Sequence, residues 1–239
     1  MSLLEFRHLT HDAPQEAALH THAEGQLFTV EAGMVSVETE TGRWVMPPGC
    51  LGWLPPALPH GAAVHGNMRG LSLYFTQDWS RNQMPGCVKI VRLTPLLSAL
   101  LDSVTTLPAS RLQPYLTVFA DAFCHEPAQT LFLPMPTDSR LIMLATLLLA
   151  QPDDSTDLDG WATRVGMSRR TLTRRFQQET GWSIGQWRQQ LCLQRALEQL
   201  AAGESVTRVA LNQGYQSVSA FISMFRRYLG TTPSVWTSI

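Results

Sequence analysis

The last third of this 239-residue chain repeats itself. Ala162, Gly166, Ser168, Leu172, Phe176 and Gly181 are echoed by Ala210, Gly214, Ser217, Phe221, Phe225 and Gly230. The offset is about 48 residues at the alanines and about 49 from the serines onward. Each copy reads as a helix, a glycine-containing turn and a second helix, the grammar of a helix-turn-helix. The units span 158–180 and 206–229, with a long helix expected over Ser183–Ala202 between them. A sequence built this way must present two short helices at a fixed separation.

Charge gives that arrangement a direction. The whole chain carries a formal charge of only −1, yet residues 160–239 hold ten arginines against three glutamates. The front of the chain is correspondingly acidic. A basic tail behind an acidic front is the footprint of a nucleic-acid-binding module joined to a separate second function. Counting 100° per residue from Leu172, the face away from the core holds Arg170, Thr173, Arg174 and Gln177. The corresponding face of the second unit holds Ser219, Ser223 and Arg226. These are expected to reach base edges in double-stranded DNA, and the flanking Arg169, Arg175 and Arg227 to reach phosphates. Arginine pairs bidentately with guanine. The first unit is therefore expected to carry more of the sequence discrimination.

The stretch WATRVGMSRRTLTRRF and, most specifically, ALNQGYQSVSAFISMFRRYLGTTP resemble the DNA-binding domain of AraC/XylS-type transcription regulators. The resemblance covers roughly residues 139–239. It implies a seven-helix domain in which a linker helix spaces two recognition helices into successive major-groove turns. It also implies a homodimer, contact with RNA polymerase, and activation more than repression. One departure is Gln190-Leu191, where the family usually has Arg-Leu or Lys-Leu, so one phosphate contact is expected to be missing.

The front of the chain reads differently. From about Ala18 to Phe75, short apolar stretches (QLFTVEAG, VSVETETG, RWVMPPG, CLGWLPP, GLSLYF) alternate with turn signals, including a hairpin turn at Thr39–Gly42. Such a pattern suggests a β-sandwich or small barrel. HTHAEGQLFTVEAG is similar to the first cupin motif: His20, His22 and Gly33 match, but Gln26 stands where an acid is expected. Glu24 would share a strand face with the histidines only if no bulge intervenes. A second-motif histidine is His60.

Three readings of this cluster stay open: an inert remnant, an organic effector pocket, or a metal site of His20, His22 and His60. In the pocket reading, His20, His22, Gln26 and His60 line the cavity, with Trp44 and Trp53 as apolar wall. Gln26 brings no charge, so substoichiometric divalent metal is expected after purification. A metal-dependent cupin enzyme fused to a DNA-binding tail, and an effector-independent DNA binder, are the competing functions.

The expected architecture is α+β. A cupin-like β-domain (1–92) precedes a helical connector (93–135) that either mediates dimerisation or only packs on the barrel. An all-α double helix-turn-helix domain (136–239) follows. Pro95–Leu107 and Pro114–His125 read as helices opened by proline, and Asp138 or Ser139 as the cap of a helix ending at Ala150. The longest apolar run, Leu141–Ala150, is too short to span a bilayer. No signal peptide is visible and the four cysteines are scattered without a CxxC pair, so a reducing cytoplasm is the expected setting.

Overall fold

A computed structural model describes residues 3–13, 15–129 and 131–236. The chain divides into two compact units. The first comprises Met1–Thr39 and Val45–Thr130, the second Glu40–Trp44 and Leu131–Ile239.

The first unit is β-rich. Strands β1 (Leu3–His11), β2 (Gln15–His20), β3 (Gly25–Thr39), β5 (Cys50–Leu54), β6 (His60–Phe75) and β7 (Lys89–Arg92) form its sheet; β4 (Gly42–Met46) lies between β3 and β5 in the chain. The long strand β6 is the hub: β1, β2 and β3 all pair with it antiparallel. β5 pairs with the first half of β3 and with β7. β3 and β6 run through glycines that the sequence pattern reads as turns. Gly33 is one: its φ is +71°, and a Cβ there would meet the main chain of Asn67 and Met68 at 2.8 Å. The register between β3 and β6 shifts between Val30 and Ala32 and again between Ala32 and Met34, across Gly33, so the glycine bends a continuous strand instead of ending one.

Helix α1 (Gln77–Gln83) follows β6, and α2 (Pro95–Thr106) and α3 (Leu112–His125) complete the unit. Pro114 sits within the first turn of α3, which begins two residues earlier than the proline suggests. Leu97, Leu101, Val104, Leu116, Phe119 and Phe123 from α2 and α3 share one core with Leu27, Leu51, Trp53 and Leu73 from the sheet. The connector helices therefore pack on the barrel.

The second unit is helical, with a small β-ribbon. Gly42–Trp44 of β4 pair antiparallel with β8 (Phe132–Pro134). Among the described residues seven helices follow, as the resemblance implies: α4 (Ser139–Ala150), α5 (Leu158–Arg164), α6 (Arg169–Thr180), α7 (Ile184–Ala201), α8 (Val206–Asn212), α9 (Val218–Leu229) and α10 (Pro233–Trp236). Asp138 caps α4, its side chain accepting from the Arg140 amide. Ser183 and Gln186 form a reciprocal capping box that starts α7. Leu141, Leu144, Trp161, Leu172, Phe176 and Trp187 build the core around the first helix-turn-helix. Trp187 Nε1 donates to the Pro134 carbonyl at 2.7 Å.

Arg43, the middle residue of the ribbon's β4 side, donates to the Glu198 carboxylate and, at 3.2 Å, to Gln194 Oε1, both on α7. All three side chains are buried.

Candidate nucleic-acid interface and effector cavity

The two helix-turn-helix units use the same local devices. In each, a small residue lets two helices approach, Ala162 in α5 and Ala210 in α8, both buried. The turn glycines Gly166 and Gly214 have φ of +66° and +76°, a conformation a side chain would strain. Ser168 accepts from the Thr171 amide and Ser217 from the Ala220 amide, satisfying otherwise orphaned donors at the starts of α6 and α9. Leu172 and Phe176 anchor α6, and Phe221 and Phe225 anchor α9; all four are fully buried. Left-handed Gly181 and Gly230 end the two helices.

Burying those faces turns the others outward. Arg170, Arg174 and Gln177 stand exposed on α6, and Ser219, Ser223, Arg226 and Arg227 on α9. Among the described residues, Arg170, Arg226 and Arg227 make no ion pair. Arg174 is steadied by a 3.0 Å hydrogen bond to Gln178 Oε1. Thr173 is half-buried and its hydroxyl donates back to the Arg169 carbonyl at 3.0 Å.

The flanking arginines differ. Arg169 pairs with exposed Asp159 at 3.0 Å. Arg175 pairs at 2.6 Å with Asp138, the cap of α4, so it braces two helices, a role the helical wheel does not reveal. Gln190 also changes meaning. It is 3 % exposed, so a cation at that position would lie in the core of α7's packing and not on a phosphate.

In the first unit, a cavity of about 220 Å³ opens between β2, β3 and β6. His20, His22, Gln26 and His60 all line it. His20 and His60 are register partners across β2 and β6. His22 follows β2 in a turn, and its Nδ1 donates to the Glu24 carbonyl at 2.7 Å. Glu24 thus contributes its main chain, because residues 21–24 are not strand. Gln26, on β3, sits opposite Tyr74 of β6. Its amide nitrogen donates to Ser72 Oγ at 2.9 Å and to Tyr74 Oη at 3.2 Å. Ser72 and Tyr74 were legible only as alternate residues of GLSLYF, and nothing in that run marks them as polar supports. Burial holds the His60 imidazole below its usual pKa. The neighbouring His20 and His22 rings push the same way, against the hydrogen bond to Leu58. The loop before β6 carries Ala57 at φ +60°, with its amide donating to the His22 carbonyl at 2.8 Å. That is a left-handed alanine, a strained choice retained beside the cavity.

Two residues expected in this wall lie elsewhere. Trp53 is fully buried in the core, its Nε1 donating to the Pro85 carbonyl at 2.8 Å. Trp53 pairs with Leu27 across β3 and β5, so strand alternation turns it to the face opposite Gln26. Trp44 belongs to the second unit, stacked on Phe132 with ring centroids 4.4 Å apart.

Comparison with known proteins agrees with this division. The profile of the AraC-like ligand binding domain matches residues 4–114, and that of a helix-turn-helix domain matches residues 161–238. The chain is 32% identical over 220 residues to the HTH-type transcriptional regulator NimR of Escherichia coli strain K12, covering 90% of this chain and 80% of that protein. The chain belongs to the AraC family of transcription regulators. The HTH-type transcriptional regulator RipA of Corynebacterium glutamicum is 36% identical over 107 residues, 44% of this chain and 32% of RipA. A solved structure of a DNA-binding transcriptional dual regulator from Escherichia coli K-12 is 30% identical, with a TM-score of 0.39, covering 43% of this chain and 92% of that one.

As an AraC-family regulator, the chain joins a ligand-binding domain to a helix-turn-helix DNA-binding domain. DNA binding through the helix-turn-helix domain follows from that membership. Among the described residues, no helix is long and apolar enough to cross a membrane.

Proposed function

We propose that this regulator acts in the cytoplasm as a homodimeric activator that contacts RNA polymerase, with no catalytic activity of its own. The observation that carries the reading is the exposed row of Arg170, Arg174 and Gln177 on a helix whose other face is locked into the core. In this reading Arg170, Thr173, Arg174 and Gln177 of α6 and Ser219, Ser223 and Arg226 of α9 read base edges. Arg169, Arg175 and Arg227 meet phosphates. Arg170 and Arg174 supply guanine-type contacts, while the serines of α9 offer short hydroxyls, so the α6 half-site carries more of the specificity. Dimerisation is supported by the outer faces of α2 and α3, which expose Leu96 (55 %) and Val118 (51 %). Effector control is supported by the cavity between β2, β3 and β6.

The test is selection of genomic fragments on the purified chain, followed by footprinting of the enriched sequence. Two protected segments about one helical turn apart are expected, together with transcription that rises from a promoter carrying the site. Enrichment no better than random DNA would overturn the reading.

A further inference from the structure

Three imidazoles and one amide converge in the cavity of the first unit. The His20 and His60 rings lie 4.4 Å apart, and His22 lies 5.1 Å from His60. Their ligand nitrogens all fall within 4.8 Å of one another. Each ring is held by its other nitrogen. Nδ1 of His20 sits 2.8 Å from the Ala18 carbonyl, Nδ1 of His22 2.7 Å from that of Glu24, and Nδ1 of His60 2.9 Å from that of Leu58.

A carbonyl oxygen only accepts. Each Nδ1 therefore carries the hydrogen and each Nε2 keeps its lone pair. Three tautomers fixed the same way aim three acceptors at one small space. Among the described residues, Nε2 of His20 and Nε2 of His60 meet no hydrogen-bond donor. An imidazole whose second nitrogen donates to a main-chain carbonyl is the arrangement that orients a metal-ligating histidine.

Gln26 completes the set. Its Oε1 lies 3.2 Å from His22 Nε2, while Ser72 and Tyr74 accept from its amide nitrogen. With the amide turned over, the nitrogen would donate to His22 and the oxygen would accept from both hydroxyls. Only the turned-over setting is satisfied by the protein alone; in the oxygen-inward one the His22 Nε2 lone pair and Gln26 Oε1 face each other as two acceptors, an arrangement that a cation between them relieves.

The geometry points to a metal site made of Nε2 of His20, His22 and His60 and Oε1 of Gln26, selective for a late first-row divalent ion such as Zn²⁺, Co²⁺ or Ni²⁺. Neutral imidazoles suit these ions, whereas Mg²⁺ and Ca²⁺ require oxygen-rich, anionic shells. Zinc–nitrogen bonds of about 2.0–2.1 Å put the ligand nitrogens of one ion about 3.4 Å apart, so binding draws the rings inward by side-chain rotation. The inference names a metal ion as occupant of the effector cavity, and its regulatory meaning rests on the function proposed above.

Cobalt titration of the full chain tests it, in a background with exposed Cys87 and Cys124 replaced by serine so that thiols do not compete. One Co²⁺ per chain is expected, with visible d–d absorption and no thiolate band. His20→Ala and His22→Ala are each expected to weaken binding about 100-fold and Gln26→Leu about 10-fold. Gln26→Glu, which adds the missing charge, is expected to tighten it about 10-fold. Fewer than one ion per chain at saturation, or full binding by a His20→Ala/His22→Ala double variant, overturns the site. Unchanged affinity in both Gln26 variants overturns the four-donor set. His60→Ala removes a buried ring and can disturb β6, so the melting temperature of the unsubstituted chain is measured with and without Zn²⁺. A rise with ion concentration is expected, and no rise at saturating Zn²⁺ counts against the site. Genomic-fragment selection on the same preparations separates the two claims. DNA selection intact without metal binding sinks the metal site alone, and the converse sinks the regulator reading alone.

Discussion

At the residue scale, the arginines of the second unit stand in different settings, exposed or braced by a carboxylate, that composition cannot tell apart. In the reading proposed above, the exposed Arg170 and Arg174 read bases. Replacing either with alanine is expected to cost about 1–3 kcal/mol of specific binding and much less of binding to random DNA, measured by competition titration. Arg227 is exposed and makes no ion pair among the described residues; in the reading proposed above it meets a phosphate, and its loss is expected to lower affinity for all sequences and reduce the salt slope by about one. Arg175 is already engaged by Asp138. Its replacement is expected to lower the melting temperature as well, a signature that Arg227→Ala lacks. The wheel drawn from Leu172 places Arg170 and Arg174 on the outer face of α6 and Arg175 on its flank. Whether a flanking arginine meets a carboxylate 37 residues away depends on tertiary packing, and no local pattern encodes that.

At the element scale, helices were more legible than strands. Capping chemistry explains why. Ser168, Ser183 and Ser217 mark starts, left-handed glycines mark ends, and α7 falls within one residue of the expected bounds at each end. In the first unit the same glycine signal misleads, because Gly33 and the glycines of β6 bend long strands that sequence alone splits into short ones. β1 was missed because most of its residues are exposed, leaving no alternation to read. The caps also carry a pH dependence. The Arg140 amide, opposed by burial and helped by the charges of Arg140 and Arg175, holds the Asp138 carboxyl below its usual range. A depressed carboxyl stabilises the fold above its unfolded pKa of about 3.9, and that contribution disappears as pH falls through the lower folded value. Melting temperature is therefore expected to fall below about pH 4. Asp138→Asn keeps the cap but not the charge, and should flatten that acid slope in thermal scans.

At the scale of the whole molecule, the second unit is not one continuous stretch. A fragment beginning near Pro136 lacks Leu133, a member of its core, and the Pro134 carbonyl that accepts from Trp187. A fragment spanning 131–239 is expected to melt higher than one spanning 136–239, by calorimetry. Both lack Arg43. In the full chain, Arg43→Ala removes a buried cation from beside the buried Glu198 carboxylate, and a loss of about 3–5 kcal/mol is expected from denaturant unfolding. The sequence places Arg43 in the front domain, and nothing near it names a partner.

That pairing spans 155 residues of chain, and during synthesis the distance becomes time. At about 5–20 residues per second, the ribosome needs about 8–30 s after making Arg43 before Glu198 exists. Through that interval the hairpin tip has left the ribosome with a cation and an indole that have nowhere to go. The first unit can close its own core meanwhile, but the piece it lends to the second must wait, solvated or held by a chaperone. The buried Arg43–Glu198 pairing therefore dates not from the making of Arg43 but from the moment α7 emerges to receive a segment translated long before.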